Sequence, residues 1–389
     1  MNELNNMLFA LLRSVLCGEE LNKSLFEGLD EEVLAELYKI SKKHDMAHIV
    51  GAALDSAGLL GNYAISRKLA KQQLVALYRY ENIQYELDSI CSTFDKANIA
   101  YIPLKGSVIR ALYPEPWMRT SCDIDVLVRE EDLDLAIESL TNNLSYKAEP
   151  TRAYHDVSLY SESGVHLELH FSIKENVPAL DRVLGRVWEY ATPSAEGCRY
   201  DLTREFFIYH AVAHASYHFM SGGCGIRALV DLWYLTKDGD FDGDTVLALC
   251  RESGIERFYL AILELSQVWF GKREHSDLSR RMESYVLSGG TYGEAETAVA
   301  LKQSARGGKI GYALSRIFVS YEHLRGKYPS LKCRALIPIY QVRRWIEIVV
   351  HGRAVSSAKE LKTNATVDKN EFDEVIALLG ELDLNEHIK

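Results

Sequence analysis

The chain has 389 residues, 47% hydrophobic and 25% charged, the balance of an ordinary globular protein long enough for a full core and two or three subdomains. No run of about 18 apolar residues occurs, so no membrane partner is expected, and residues 1–20 hold Arg13 as their one basic side chain, which is not the pattern of a secretory signal. The net charge of −11 sets the protein as a whole against long nucleic acid, and seven scattered cysteines without a Cys-x-x-Cys pair read as the reduced thiols of a cytoplasmic protein.

Residues 1–98 lack proline and read as helices. Leu4, Leu8, Leu11, Leu12 and Val15 fall on one helical face, Asp30 before Glu31-Glu32-Val33 looks like a capped helix start, and a long amphipathic pattern runs from Ile65 to about Lys96. From Ile99 the pattern changes to short strands and turns. Strands are expected over 100–104, 124–128, 157–160 and 165–171, with a weaker piece near Tyr146 and a hairpin turn at Ser161-Glu162-Ser163-Gly164. Helices are expected over 107–113 and 131–142.

Lys105-Gly106-Ser107 follows the first of these strands. Glycine at a strand-to-helix turn lets the backbone approach a ligand, and the free N–H groups of the new helix favour a phosphate. Ser107 can cap that helix or bond a phosphate oxygen. Fifteen residues separate Ser107 from Asp123. Side chains alternate along a strand, so Asp123 and Asp125 share one face while Ile124, Val126 and Val128 point into a core. At about 6 Å and an effective dielectric of ~20, two such carboxylates repel by roughly 3 kcal/mol. A divalent cation between them relieves that cost; Mg²⁺ suits the task because it completes its shell with substrate phosphates and water. Two ions would clamp both oxygens of an in-line displacement. In Val165-His166-Leu167-Glu168-Leu169-His170-Phe171 the same alternation puts His166, Glu168 and His170 together. If that strand lies beside the first, Glu168 joins the two aspartates as a metal ligand or as the acceptor of a hydroxyl proton, with His170 placed to orient it. Lys105 and Arg119 lie near enough in sequence to neutralise phosphate charge, and Tyr113 and Trp117 are either base-stacking or packed loop aromatics.

From about Pro178 the chain reads as helical again, over 205–220, 227–235, 258–270, 314–324, 337–350 and 371–382. His210, His214 and His218 share one helical face; that spacing serves zinc, but no metalloprotease glutamate or nearby cysteine supports it, and packing or lining a cleft is the plainer reading. Arg227 pairs with a triphosphate or with Asp231. Between residues 301 and 360, twelve Lys/Arg face three Glu, which gives either a surface for a polyanionic substrate or solvated helix faces.

The ordered set of a Gly-Ser turn, an acid-x-acid strand and a third acid on a later strand resembles the DNA-polymerase-beta type nucleotidyltransferase superfamily across residues 99–175. More narrowly, Leu104-Lys105-Gly106, Arg119, Asp123-Ile124-Asp125-Val126-Leu127-Val128, the histidine-rich helix and Gly225-Ile226-Arg227-Ala228-Leu229-Val230-Asp231 resemble the bacterial uncharacterised nucleotidyltransferase family. The gap between Ser107 and Asp123 is slightly longer than is usual in the superfamily and holds Tyr113-Pro114-Glu115-Pro116-Trp117 as an inserted loop.

The resemblance implies an α+β fold: a small mixed β-sheet nucleotidyltransferase core (99–175) flanked by N-terminal (1–98) and C-terminal (176–389) helical regions. It implies Asp123, Asp125 and Glu168 as catalytic and metal-binding residues for Mg²⁺, two ions, and Lys105, Gly106, Ser107, Arg119 and Arg227 as nucleotide-binding residues. The expected reaction moves a nucleoside monophosphate from a nucleoside triphosphate, ATP among the candidates, to an acceptor hydroxyl on a small molecule or protein, with an RNA end set last by the acidic charge; oligomeric state is not written in these motifs. Two other readings stand beside it. One is a non-catalytic nucleotide-binding or toxin–antitoxin-like module. The other is a nucleotide-sugar glycosyltransferase using Asp123-Ile124-Asp125, which the all-helical opening argues against.

Overall fold

The computed structural model describes residues 3–150, 152–195, 197–289, 311, 314, 317–321, 324–325, 328, 330–350 and 369–387. Four helices open the chain: α1 (Glu3–Leu16), α2 (Glu31–Lys43), α3 (Ala47–Ser56) and α4 (Ala64–Ala97). Asp30 starts α2 as expected, its carboxylate accepting the Val33 N–H at 3.0 Å. The 34 residues of α4 stop at Asn98, whose left-handed backbone (φ 55°) ends the ladder.

A five-stranded sheet follows, β1 (Tyr101–Pro103), β2 (Asp123–Val128), β3 (Lys147–Ala148), β4 (Asp156–Tyr160) and β5 (His166–His170), in the spatial order β1-β2-β5-β4-β3. β2 and β5 run parallel, and the other neighbours run antiparallel. Between the strands lie α5 (Gly106–Ile109) and α6 (Leu133–Leu144). The helix expected over 107–113 is thus one α turn followed by a 3-10 turn, Arg110–Leu112. Pro114 is the reason: it disfavours helical backbone at Tyr113, which is extended (ψ 157°).

The two faces of the sheet have different fates. Ile124, Val126, Val128, Leu167 and Leu169 are buried against Ile83, Leu87, Ile90 and Phe94 of α4 and Leu133, Ala136 and Leu140 of α6. Each large apolar side chain so buried contributes roughly 1.5–3 kcal/mol. The opposite face carries the acids and histidines, and it looks toward the second half of the chain. There α7 (Pro178–Leu184) leads to a hairpin, β6 (Ala191–Pro193) with β7 (Tyr200–Leu202), and then to α8 (Arg204–Met220), α9 (Ile226–Thr236), α10 (Gly243–Glu252), α11 (Glu256–Phe270) and α12 (Asp277–Gly289). Helices also cover Ile337–Val350 and Lys369–Glu381. The helix expected over 314–324 and the basic run of 301–360 fall in large part outside the described residues. No helix among the described residues is long and apolar enough to cross a membrane.

A second, larger core joins the two ends of the chain. Leu8, Leu12, Ile49 and Leu69 belong to one buried cluster with Phe206, Leu229, Phe258 and Trp269, and Ile102, Leu104 and Leu127 reach it from the sheet. Two buried histidines, after α2 and in α3, tie the first helices to later elements. His44 donates from Nε2 to the Leu287 carbonyl (3.2 Å) and accepts the Ile226 N–H at Nδ1 (3.4 Å), while His48 donates from Nε2 to the Met118 carbonyl (2.8 Å). Burial lowers His44 to about 4 and His210 to about 3, and it lowers His48 as well. A base shifted down in the folded state contributes stability that is present above its unfolded value of 6.5 and is lost as pH falls through the folded value. The unfolding free energy from urea titrations is therefore expected to fall between pH 6.5 and 4, with a slope approaching roughly 1.4 kcal/mol per pH unit for each such ring. A flat profile across that window would contradict neutral, buried imidazoles.

Candidate active site

The parallel register of β2 and β5 decides which side chains meet. Asp123 lies opposite His166, Asp125 opposite Glu168, and Leu127 opposite His170. Asp123 and Asp125 therefore share a face with His166, Glu168 and His170. Ligand atoms of Asp123, His166 and Glu168 lie within 4.8 Å of one another, and so do those of Asp125, Glu168 and His170, which makes Glu168 common to both groups.

The three acids differ in what balances them. Asp125 is deeply buried, and its Oδ1 accepts from Lys105 Nζ and from His170 Nε2, each at 2.9 Å. Burial alone would raise the Asp125 carboxyl, but Lys105 and then His170 hold it well below the usual carboxylate range. Glu168 has its Oε2 3.5 Å from His170 Nε2, and chiefly for that reason its carboxyl is also held low. His170 in turn sits at about 8: burial opposes its charge, but Asp125 and Glu168 outweigh the burial. The Asp123 carboxylate has no hydrogen-bond or ion-pair partner among the described residues. Burial, and after it the charges of Asp125 and Glu168, push it above its ordinary value. An oxygen-rich group with one uncompensated carboxylate suits a hard divalent cation, so the residues present fit Mg²⁺.

In the turn that faces these acids the residue with positive φ is Lys105 (φ 44°, ψ −120°). Such backbone costs a side-chain-bearing residue of order 1–3 kcal/mol and persists where the surroundings impose it. Here the Lys105–Asp125 ion pair and the bonds from the Val108 and Ile109 N–H groups to the Lys105 carbonyl fix it. Gly106 is closely packed: a Cβ there would lie 3.3 Å from Arg119 Nη1 and 3.4 Å from Ser121 Cβ, so those side chains would have to give by a few tenths of an ångström. Arg110, a residue without a sequence signal, is buried behind the turn and donates to the Gly106 carbonyl (2.7 Å) and to Ser121 Oγ (3.0 Å). Ser107 is not a cap. Its N–H donates to the Leu104 carbonyl, and its hydroxyl is buried without a partner, away from the cavity lining.

Helices α8 and α9 close the other side and leave a cavity of about 530 Å³. Lys105, Gly106, Asp123, Asp125 and Glu168 line it from the sheet, and His210, His214, His218 and Arg227 line it from the helices. The histidine face thus lines the cleft, and it is not among the groups with metal-ligand spacing in the described residues. Arg119 reaches the cavity wall, but its guanidinium is paired with Asp231, Nε to Oδ1 at 2.8 Å and Nη2 to Oδ2 at 2.9 Å. Tyr113 donates to the same carboxylate at 2.7 Å and is buried, so it packs and does not offer a face to a base. Trp117 likewise packs edge-on to His48. Arg227 bonds Asp45 Oδ2 (3.0 Å) and the Thr120 carbonyl (3.3 Å), not Asp231. Glu175, which carried no sequence signal, also lines the cavity, accepting from His214 Nδ1 at 2.7 Å.

The family model described as uncharacterised nucleotidyltransferase matches residues 30–271. Among solved structures, the chain is similar to the solution structure of antibiotic-resistance factor ANT(2'')-Ia. The identity is 13%, over 49% of this chain and 95% of that one, with a TM-score of 0.32. No curated protein matches.

Proposed function

This chain belongs to the uncharacterised nucleotidyltransferase family, and from that premise we propose that it is a Mg²⁺-dependent enzyme moving a nucleoside monophosphate from a nucleoside triphosphate to the hydroxyl of a small molecule or protein. The observation that carries the reading is the meeting of Asp123, Asp125 and Glu168, from two adjacent parallel strands, in one cavity with Lys105.

In this reading the three carboxylates hold the metal. Held by these carboxylates, a divalent ion would supply positive charge to offset that developing on the leaving pyrophosphate. Lys105 Nζ, now on Asp125, lies where a phosphate oxygen can share it, and the Lys105-Gly106 turn presents backbone to the triphosphate. Ser107 acts through the shape of that turn. Arg227 adds positive charge from the helical wall, and Arg119, already balanced by Asp231, positions the turn from behind. His170 keeps Asp125 and Glu168 aimed by donating between them. The free thiols of the seven cysteines fit a reducing compartment, and we place the reaction in the cytoplasm on that ground.

Isothermal titration with ATP, GTP, CTP and UTP, with and without Mg²⁺, tests the reading. At least one nucleotide is expected to bind with the metal and to bind far more weakly without it. Lys105→Ala is expected to weaken that binding by about tenfold, the worth of one charge-assisted contact. A protein that binds none of the four under either condition would leave the toxin–antitoxin-like reading standing instead.

A further inference from the structure

The acceptor hydroxyl must lose a proton during transfer, and in the proposed reading all three acids on the sheet are committed to the metal. Asp125 is occupied by two cations, and Glu168 is shared between the two carboxylate groups and His170. The helical wall carries a different set of groups. His214 Nδ1 lies 2.7 Å from Glu175 Oε1, and His214 Nε2 lies 3.1 Å from His218 Nε2, with the two rings nearly perpendicular (85°). All three residues line the same cavity as Asp123 and Asp125.

Valence fixes the protons along this chain of atoms. The Glu175 carboxylate can only accept, so His214 carries its proton on Nδ1. Its Nε2 is then a bare lone pair, and the 3.1 Å contact requires the proton of His218 to sit on Nε2. That leaves His218 Nδ1 as a bare lone pair without a protein partner among the described residues. We propose that Glu175, His214 and His218 form the proton-accepting relay for the acceptor hydroxyl, with His218 Nδ1 as the atom that takes the proton.

The proposal rests on the nucleotidyl-transfer reading above, and its steps balance. The acceptor O–H proton passes to His218 Nδ1 as the oxygen bonds to the α-phosphorus and the bond to the bridging oxygen breaks, releasing pyrophosphate. The His218 imidazolium hands its Nε2 proton to His214 Nε2, and the charge comes to rest beside the Glu175 carboxylate. Burial above all keeps both rings neutral in the resting protein, at about 3; the charge of His214 comes next for His218, and the charges of Lys105 and Arg227 add to it for each ring. A triphosphate drawn to those two cations cancels that contribution, so the relay gains proton affinity when nucleotide is present. His218 is the proposed catalytic residue; His214 and Glu175 act through it as positioning residues.

Nitrogen-15 imidazole spectra of the full chain test the wiring without any variant. A bare Nδ1 on His218 and a bare Nε2 on His214 are expected, and the opposite tautomers would overturn the relay. For activity, α-phosphate-labelled ATP, GTP, CTP and UTP with Mg²⁺ and a cell extract supply donor and acceptor. His218→Ala is expected to slow label transfer on the order of 10²–10⁴-fold with nucleotide binding unchanged, and added imidazole is expected to restore part of the rate. Glu175→Gln is expected to slow it by a smaller factor that imidazole does not restore. Full transfer by His218→Ala would overturn the relay alone. A wild-type protein that transfers no label from any of the four would overturn both the relay and the reading beneath it.

Discussion

Asp123→Asn is expected to abolish nucleotidyl transfer, a loss of about 10³-fold or more, while leaving the metal-free protein at least as stable as the wild type. The two halves of that result have one cause. Asp123 is the carboxylate with no cation of its own, pushed above its ordinary value by burial and by its neighbours' charges. An acid raised in this way costs stability once pH exceeds its unfolded value near 3.8, and the cost stays in place at neutral pH. Asparagine removes the charge and with it the cost. It also removes a carboxylate that the proposed divalent ion would need, and such an ion would supply several kcal/mol of transition-state stabilisation. Asp125→Asn should lose transfer as well, but with a stability penalty, because Lys105 and His170 would then face each other's charge without the carboxylate between them. Thermal melting with and without Mg²⁺, beside a labelled-nucleotide assay, separates these outcomes. Mg²⁺ should raise the melting temperature of the wild type and have little effect on Asp123→Asn. Wild-type rates in that variant would remove the proposed metal role.

The second large effect concerns stability. Arg119 and Asp231 lie 112 residues apart in sequence and meet through three nitrogen–oxygen contacts between 2.8 and 3.0 Å, both side chains about nine-tenths buried, with Tyr113 donating into the same carboxylate. Removing one partner strands the other charge in the interior. Arg119→Ala or Asp231→Ala is expected to lower the unfolding free energy by about 3–5 kcal/mol in urea titrations. The double change Arg119→Met with Asp231→Leu should lose less than either single change, because no charge is left behind. Single losses under about 1 kcal/mol would mean that the pair is solvated in solution.

How far the sequence foretold this arrangement varies by element. The alternation of Asp123-Ile124-Asp125-Val126 and of His166-Leu167-Glu168-Leu169 announced two strands, and both formed with their acids on a common face, β2 being buried at every position after Asp123. Asp30 as the cap of α2 and the long amphipathic run of α4 were equally plain. By contrast, α3 is buried at every position from 47 to 54, so it has no polar side to set a period. The β6–β7 hairpin is three residues per strand and includes Pro193, too short to alternate visibly. In the site, residue type pointed to Lys105 and Arg227 as phosphate ligands, but only tertiary structure decides which acid each one meets. Glu175 and Arg110 carry no local pattern at all, because what makes them part of the site is the approach of α8 and of the loop before β2.

The shared core of the first and last helices sets the order in which the molecule becomes competent. A ribosome delivers all three carboxylates by residue 168, yet the wall opposite them is not supplied until Arg227, and His44 waits for the Leu287 carbonyl to complete its seat. An emerging chain therefore exposes a bare acidic sheet long before it owns a chamber. The interval between the two is filled by helices whose apolar sides have no mate until the segment beyond 200 has left the exit tunnel.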